Sequence, residues 1–108
     1  MPKKEIVFSI ELDDNKMPKS IEWQATDAPF KGKKACSAMM IYLWDRDNEA
    51  PMSMDLWTNE MMIHHMNGMV FNNMMSMADT YQRATRNDDG ANAMREFAKQ
   101  FAEKSKNK

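Results

Sequence analysis

The sequence predicts an α+β fold: a four-stranded, mostly antiparallel sheet made of two hairpins, followed by two C-terminal helices, the first long and packed on the sheet. Three observations predict it. Four segments in the first half alternate apolar and polar residues or run apolar on both parities, as strands do. Turn formers separate those segments in pairs. Beyond residue 60 the apolar spacing changes to threes and fours, the period of an amphipathic helix. A chain of 108 residues holds one hydrophobic core, so a single domain over residues 1 to 108 is expected.

The first strand is carried by Ile6, Phe8, Ile10 and Leu12, which alternate with Glu5, Ser9 and Glu11 and should give one buried and one mostly wet face. Asp13, Asp14, Asn15 and Lys16 then turn the chain, with Pro18 behind them. Ile21, Trp23 and Ala25 alternate with Glu22 and Gln24, which completes a hairpin. Residues 26 to 34 hold Pro29, Gly32 and the lysines Lys31, Lys33 and Lys34, the composition of an exposed loop.

The third strand, residues 38 to 44, is apolar on both parities. Met39, Ile41 and Leu43 lie on one side and Met40, Tyr42 and Trp44 on the other, so both faces need cover. Polar residues 45 to 49 turn the chain into Met52, Met54 and Leu56, with Ser53, Asp55 and Trp57 pointing the opposite way. Setting Leu43 across from Met54 or Leu56 places each side of one strand against the matching side of the other.

Thr58 is the expected N-cap of the long helix, in which Ile63, Met66, Val70, Met74, Met77, Tyr81 and Ala84 form a stripe about six turns long. Asn87-Asp88-Asp89-Gly90 ends it and caps a second helix carrying Met94, Phe97, Ala98 and Phe101. The basic tail, residues 104 to 108, is expected to fray.

Composition excludes several functions. Fifteen Lys and Arg against sixteen Asp and Glu give no field that would draw the chain to nucleic acid or to an anionic membrane. No apolar run approaches the roughly 20 residues a membrane span requires, so direct membrane insertion is not expected. Met1-Pro2-Lys3-Lys4-Glu5 leads straight into the first strand without a signal-peptide core, and the lone Cys36 suits a reducing compartment. A soluble, cytoplasmic protein is the expectation.

The chemistry-bearing residues do not assemble into a catalytic, cofactor or metal site. His64 and His65 are neighbours that point about 100° apart on a helix and cannot hold one ion together without further ligands. Cys36 has no nearby histidine in sequence and is read as a small buried or half-buried thiol. Asp45, Asp47, Glu49 and Asp55 lack the glycine and ligand order of a calcium loop and are read as solvated turn charges. Gly32, Gly68 and Gly90 are too far apart to build a phosphate loop. Asp79 and Arg83, four residues apart, are expected to form a surface ion pair. The fourteen methionines mostly serve as gap-fillers in the core.

One feature does point to function. Met40, Tyr42, Trp44 and Trp57, with Val7 beside them, should form an aromatic cluster on the sheet face away from the helix stripe. The loop of residues 26 to 34, the last helix, a second copy or a different protein must then cover it.

Glu-Leu-Asp-Asp-Asn-Lys at 11 to 16, Asp-Leu-Trp-Thr at 55 to 58 and Met-Ala-Asp-Thr-Tyr-Gln-Arg-Ala-Thr at 77 to 85 together resemble the gliding motility protein GldC family of Bacteroidetes. Leu-Trp-Asp at 43 to 45 and Met-Arg-Glu-Phe at 94 to 97 extend the resemblance over nearly the whole chain. What it implies is a non-enzymatic accessory of the gliding machinery, with no catalytic residue and no cofactor, acting on an unidentified protein partner of that machinery. Two alternatives stand beside it: a homodimer closed through the aromatic face, and a small-molecule-binding or enzymatic domain with a pocket between sheet and helices.

Overall fold

The computed structural model describes residues 2 to 106. Its class is α+β, with five strands in two antiparallel sheets and two helices rather than the single four-stranded sheet expected. Strands β1 (Ile6–Leu12), β2 (Pro18–Ala25) and β3 (Lys34–Cys36) form the first sheet in that order; β4 (Ala38–Asp45) and β5 (Ala50–Trp57) form the second. Helices α1 (Ile63–Thr85) and α2 (Asp88–Ser105) follow. The chain divides into two compact units between Met61 and Met62.

In the β unit, β1 and β2 pair from Ile6 opposite Ala25 to Ile10 opposite Ile21, with a bulge at Glu11 and Leu12. Asp13 shapes their connection: its Oδ1 accepts the backbone N–H groups of Asn15 and Met17, and Lys16 takes a left-handed conformation at φ 63°. Ile21 is the centre of this sheet, only 1% exposed, and is the largest fully buried side chain. Around it the expected burial of β1 is incomplete, because Ile6, Phe8 and Leu12 remain exposed.

The third strand of this sheet begins at Lys34, the last residue of the expected loop, and ends before the apolar run at 38 to 44. Lys34 pairs with Trp23 and Cys36 with Ile21, while Phe30 packs its ring edge-on against Trp23 at 5.0 Å. The Lys34 ammonium sits 5.2 Å from the Phe30 ring centre. A three-residue strand without alternating apolar residues leaves no periodic signal, and here pairing with β2 carries it. Ser37 separates β3 from β4, and its carbonyl accepts the N–H of Thr58 just past β5.

In the second sheet Leu43 pairs with Met52, two residues from Met54 and four from Leu56, the two expected partners. The turn sets this register. Asp45 pairs with Ala50, so only residues 46 to 49 connect the strands; Asp45 Oδ2 accepts the Asn48 N–H, and Glu49 closes the turn at φ 48°. A shift of two residues preserves the separation of faces, because side chains alternate with period two.

Thr58 does not cap α1. Its carbonyl and hydroxyl accept the N–H groups of Met61 and Glu60 in a turn, and the N-cap is Met62, which offers no side-chain acceptor. At the other end, Arg86 turns left-handed and its N–H bonds to Gln82 O. The cap expected for α2 is present: Asn87 Oδ1 accepts the Gly90 N–H at 3.0 Å, and Asp88 and Asp89 complement the helix dipole.

The two helices form an antiparallel hairpin in which the fully buried residues are Ala78, Ala91 and Ala98, small enough to let the backbones approach. Ala78 is off the apolar stripe read from the sequence, whose members Ile63, Met77 and Tyr81 are exposed. The side of α1 turned to α2 is therefore rotated from that stripe by roughly a quarter turn. Asn67 Nδ2 reaches Ser105 O at 3.1 Å near one end of the hairpin. Helix α2 continues through Lys104 and Ser105; Asn107 and Lys108, part of the expected frayed tail, lie outside the described residues.

Candidate protein-contact face

Cross-strand pairing gives the β4 and β5 hairpin two distinct sides. On one, Met39, Ile41 and Leu43 stand opposite Leu56, Met54 and Met52. On the other, Trp44 stands opposite Pro51, Tyr42 opposite Ser53, Met40 opposite Asp55, and Ala38 opposite Trp57. The four residues singled out from the sequence, Met40, Tyr42, Trp44 and Trp57, therefore share one side. Val7 does not join them: it lies in β1, pairs with Gln24, and borders a depression with Glu5, Thr26 and Gly32.

The side is open. Trp44 is 67% exposed, Tyr42 59% and Trp57 56%. Phe30, from the loop considered as a cover, is engaged with Trp23 instead. The three rings also do not stack on one another, since the ring contacts among the described residues are Trp23 with Phe30 and His64 with His65. Strand geometry explains the separation: Tyr42 and Trp44 are two residues apart, about 7 Å, and Trp57 lies several residues along the ladder. The arrangement is a row of separate aromatic platforms, not a cluster.

Asp55 belongs to this row. It sits in β5, not with Asp47 and Glu49 in the turn or with Asp45 at the end of β4, and its carboxylate lies near enough to the Tyr42 phenol to act on it. Hydrogen bonding of the neutral phenol to Asp55, then some desolvation and the carboxylate's charge, raises Tyr42 above its ordinary value of 10.0. The signal for this role was the parity of residues 53 to 57, which places Asp55 on the side of Trp57. Beyond Trp57 the row runs into a shallow depression lined by Lys16, Met17, Pro18, Asp55 and Leu56. The turn itself carries Asp47 and Glu49, with Arg46 held 3.3 Å from Asp47.

Other chemistry-bearing residues stand apart from the row. Cys36 is half-buried in β3, and burial pushes its thiol up against the opposing pull of a backbone hydrogen bond at Ala38, the reverse of an activated nucleophile. His64 and His65 are exposed, with ring centres 4.1 Å apart. No group of three or more His, Cys, Asp or Glu among the described residues is placed to hold a metal ion. The expected Asp79 and Arg83 pair is replaced: Asp79 takes Arg95 from α2 at 2.7 Å, while Arg83 donates to the Thr80 hydroxyl at 3.4 Å. A further depression, on the helical hairpin, is lined by Met74, Met77, Ala93, Met94 and Phe97 and is almost wholly apolar. Among the described residues no helix is long and apolar enough to cross a membrane.

Compared with known proteins, residues 18–107 match the family model described as gliding motility-associated protein GldC-like. No curated protein and no solved structure matches the chain.

Proposed function

The chain belongs to the GldC-like family of gliding motility-associated proteins, and from that premise we propose that it is a non-enzymatic accessory of the gliding machinery that works by protein contact. Its contact face is the side of β4 and β5 that carries Met40, Tyr42, Trp44 and Trp57. The observation that supports this reading is the exposure of three large aromatic side chains in one row on a regular strand pair. Tyr and Trp are the residues that most often dominate binding energy at interfaces, because each buries a large area for few lost rotamers. The three rings leave on the order of 400 Å² in water, about half of one partner's share of a standard interface, so a partner would also engage the turn or the depression beyond Trp57. The expected site of action is the cytoplasmic side of that machinery.

Affinity capture of the tagged protein from its native host after mild crosslinking tests the proposal, run beside the Trp44→Ala, Trp57→Ala double variant. Capture of a gliding or envelope protein by the wild type, and its loss from a double variant with an unchanged far-ultraviolet circular dichroism spectrum, is the expected result. Equal capture by both chains would remove this face from the account.

A further inference from the structure

We propose that the aromatic row of β4 and β5 receives an arginine-bearing segment of a partner protein, with Asp55 pairing the guanidinium and Trp44, Tyr42 and Trp57 stacking on it and its neighbours. The inference rests on the reading of this side as a protein contact and specifies the chemistry of what it contacts.

The side holds eight residues: Ala38, Met40, Tyr42 and Trp44 from β4, and Pro51, Ser53, Asp55 and Trp57 from β5. Asp55 is the one charged group among them, and it stands between Tyr42 and Trp57 rather than at the rim. A protein that covers the rings also takes this carboxylate out of water, and a buried carboxylate without a partner is strongly unfavourable. The Tyr42 hydroxyl can supply at most one donor, whereas an ionised carboxylate has about four acceptor sites. The occupant must bring the remaining donors, and a positive charge with them.

The row selects the form of that charge. A guanidinium binds a carboxylate through two parallel N–H donors and lies flat on an indole or phenol face, so Asp55 and the flanking rings recognise it jointly. The hairpin end adds to the attraction, since Asp47 and Glu49 in the turn and Asp45 at the end of β4 outnumber Arg46, which is already paired with Asp47. Lys16, beside Trp57, is the base that borders the row; no ion pair joins it to Asp55 among the described residues. A second copy meeting this side through a two-fold axis would present the same eight residues, none of them basic, and would bring a second Asp55 without a cation for either.

The test titrates the full chain with a capped decapeptide of alternating arginine and serine, and with the same peptide carrying citrulline, the neutral isostere, at each arginine. Indole N–H resonances of Trp44, Trp57 and Trp23 report the site, assigned by single substitution. The arginine peptide should move the Trp44 and Trp57 signals and leave Trp23 in place, with the citrulline peptide and the Asp55→Asn variant each binding about ten-fold more weakly. Three results would overturn the inference: no shift at millimolar arginine peptide, citrulline binding as tightly as arginine, or Asp55→Asn binding like the wild type. Capture from the host separates this inference from the broader reading. An Asp55→Asn chain that keeps the partner lost by the Trp44→Ala, Trp57→Ala variant removes arginine recognition and leaves the contact face standing. Loss from both variants supports both readings, and loss from neither removes both.

Discussion

The Arg95 guanidinium of α2 donates to Asp79 Oδ1 at 2.7 Å and to Gln82 Oε1 at 2.6 Å on α1, and a third N–H goes to Asn92 on its own helix at 2.9 Å. Its side chain is mostly covered while Asp79 is largely open, so the interaction gains from hydrogen-bond geometry more than from charge. Gln82 in turn donates to Asp88 at 2.8 Å, which links the clamp to the start of α2.

Arg95→Ala should therefore destabilise the helical hairpin by about 1 kcal/mol, with Arg83→Ala close to neutral because its hydrogen bond among the described residues is the long one to Thr80. Denaturant unfolding followed by circular dichroism reads the difference. Equal midpoints for the two variants would show that the clamp does not stabilise the hairpin in solution.

The Tyr42 phenol should titrate above its ordinary value of 10.0, and Asp55→Asn should bring it back toward that value. The sign follows from the neutral phenol being the form that donates to the carboxylate. A folded value above the unfolded one stabilises the fold throughout the pH range below the unfolded value, and the contribution is lost as pH rises through the folded value. With Tyr81→Phe as background, Tyr42 is the one tyrosine left. Phenolate absorbance against pH checks the shift, and identical curves with and without Asp55 would show that Asp55 does not act on Tyr42.

Ile21→Ala should be the most damaging single truncation in the β unit, costing about 3 kcal/mol, because its side chain is fully buried and lies at the centre of the β1, β2 and β3 sheet. Thermal unfolding of Ile21→Ala beside Leu43→Ala, an exposed residue of β4, measures the contrast. A larger loss at Leu43 would mean that the core lies elsewhere.

Much of this architecture is legible in the residues. Alternation alone bounds β1 at 6 to 12 and places Met40, Tyr42, Trp44 and Trp57 on one side, because a period of two survives any even shift in pairing. That same insensitivity hides the neighbours: whether Tyr42 meets Ser53, Asp55 or Trp57 across the ladder depends on the turn, and the four-residue connection at 46 to 49 decides it. β3 carries no alternation of its own and becomes a strand by pairing with β2. On α1, periodicity marks an apolar stripe, but the side facing α2 is chosen by where small residues, Ala78 above all, let two backbones come close.

By itself the sequence determined the class, the positions of the long strands and helices, the cap at Asn87, the sidedness of the aromatic residues and the resemblance to the gliding motility family. These are properties of local spacing and residue type. Tertiary structure alone decided the division into two sheets, the pairing of Arg95 with Asp79, and the register that sets Asp55 one same-side pair from Tyr42. Each of these joins groups whose separation along the chain carries no information about their distance in space, which only the closed turns and packed helices set.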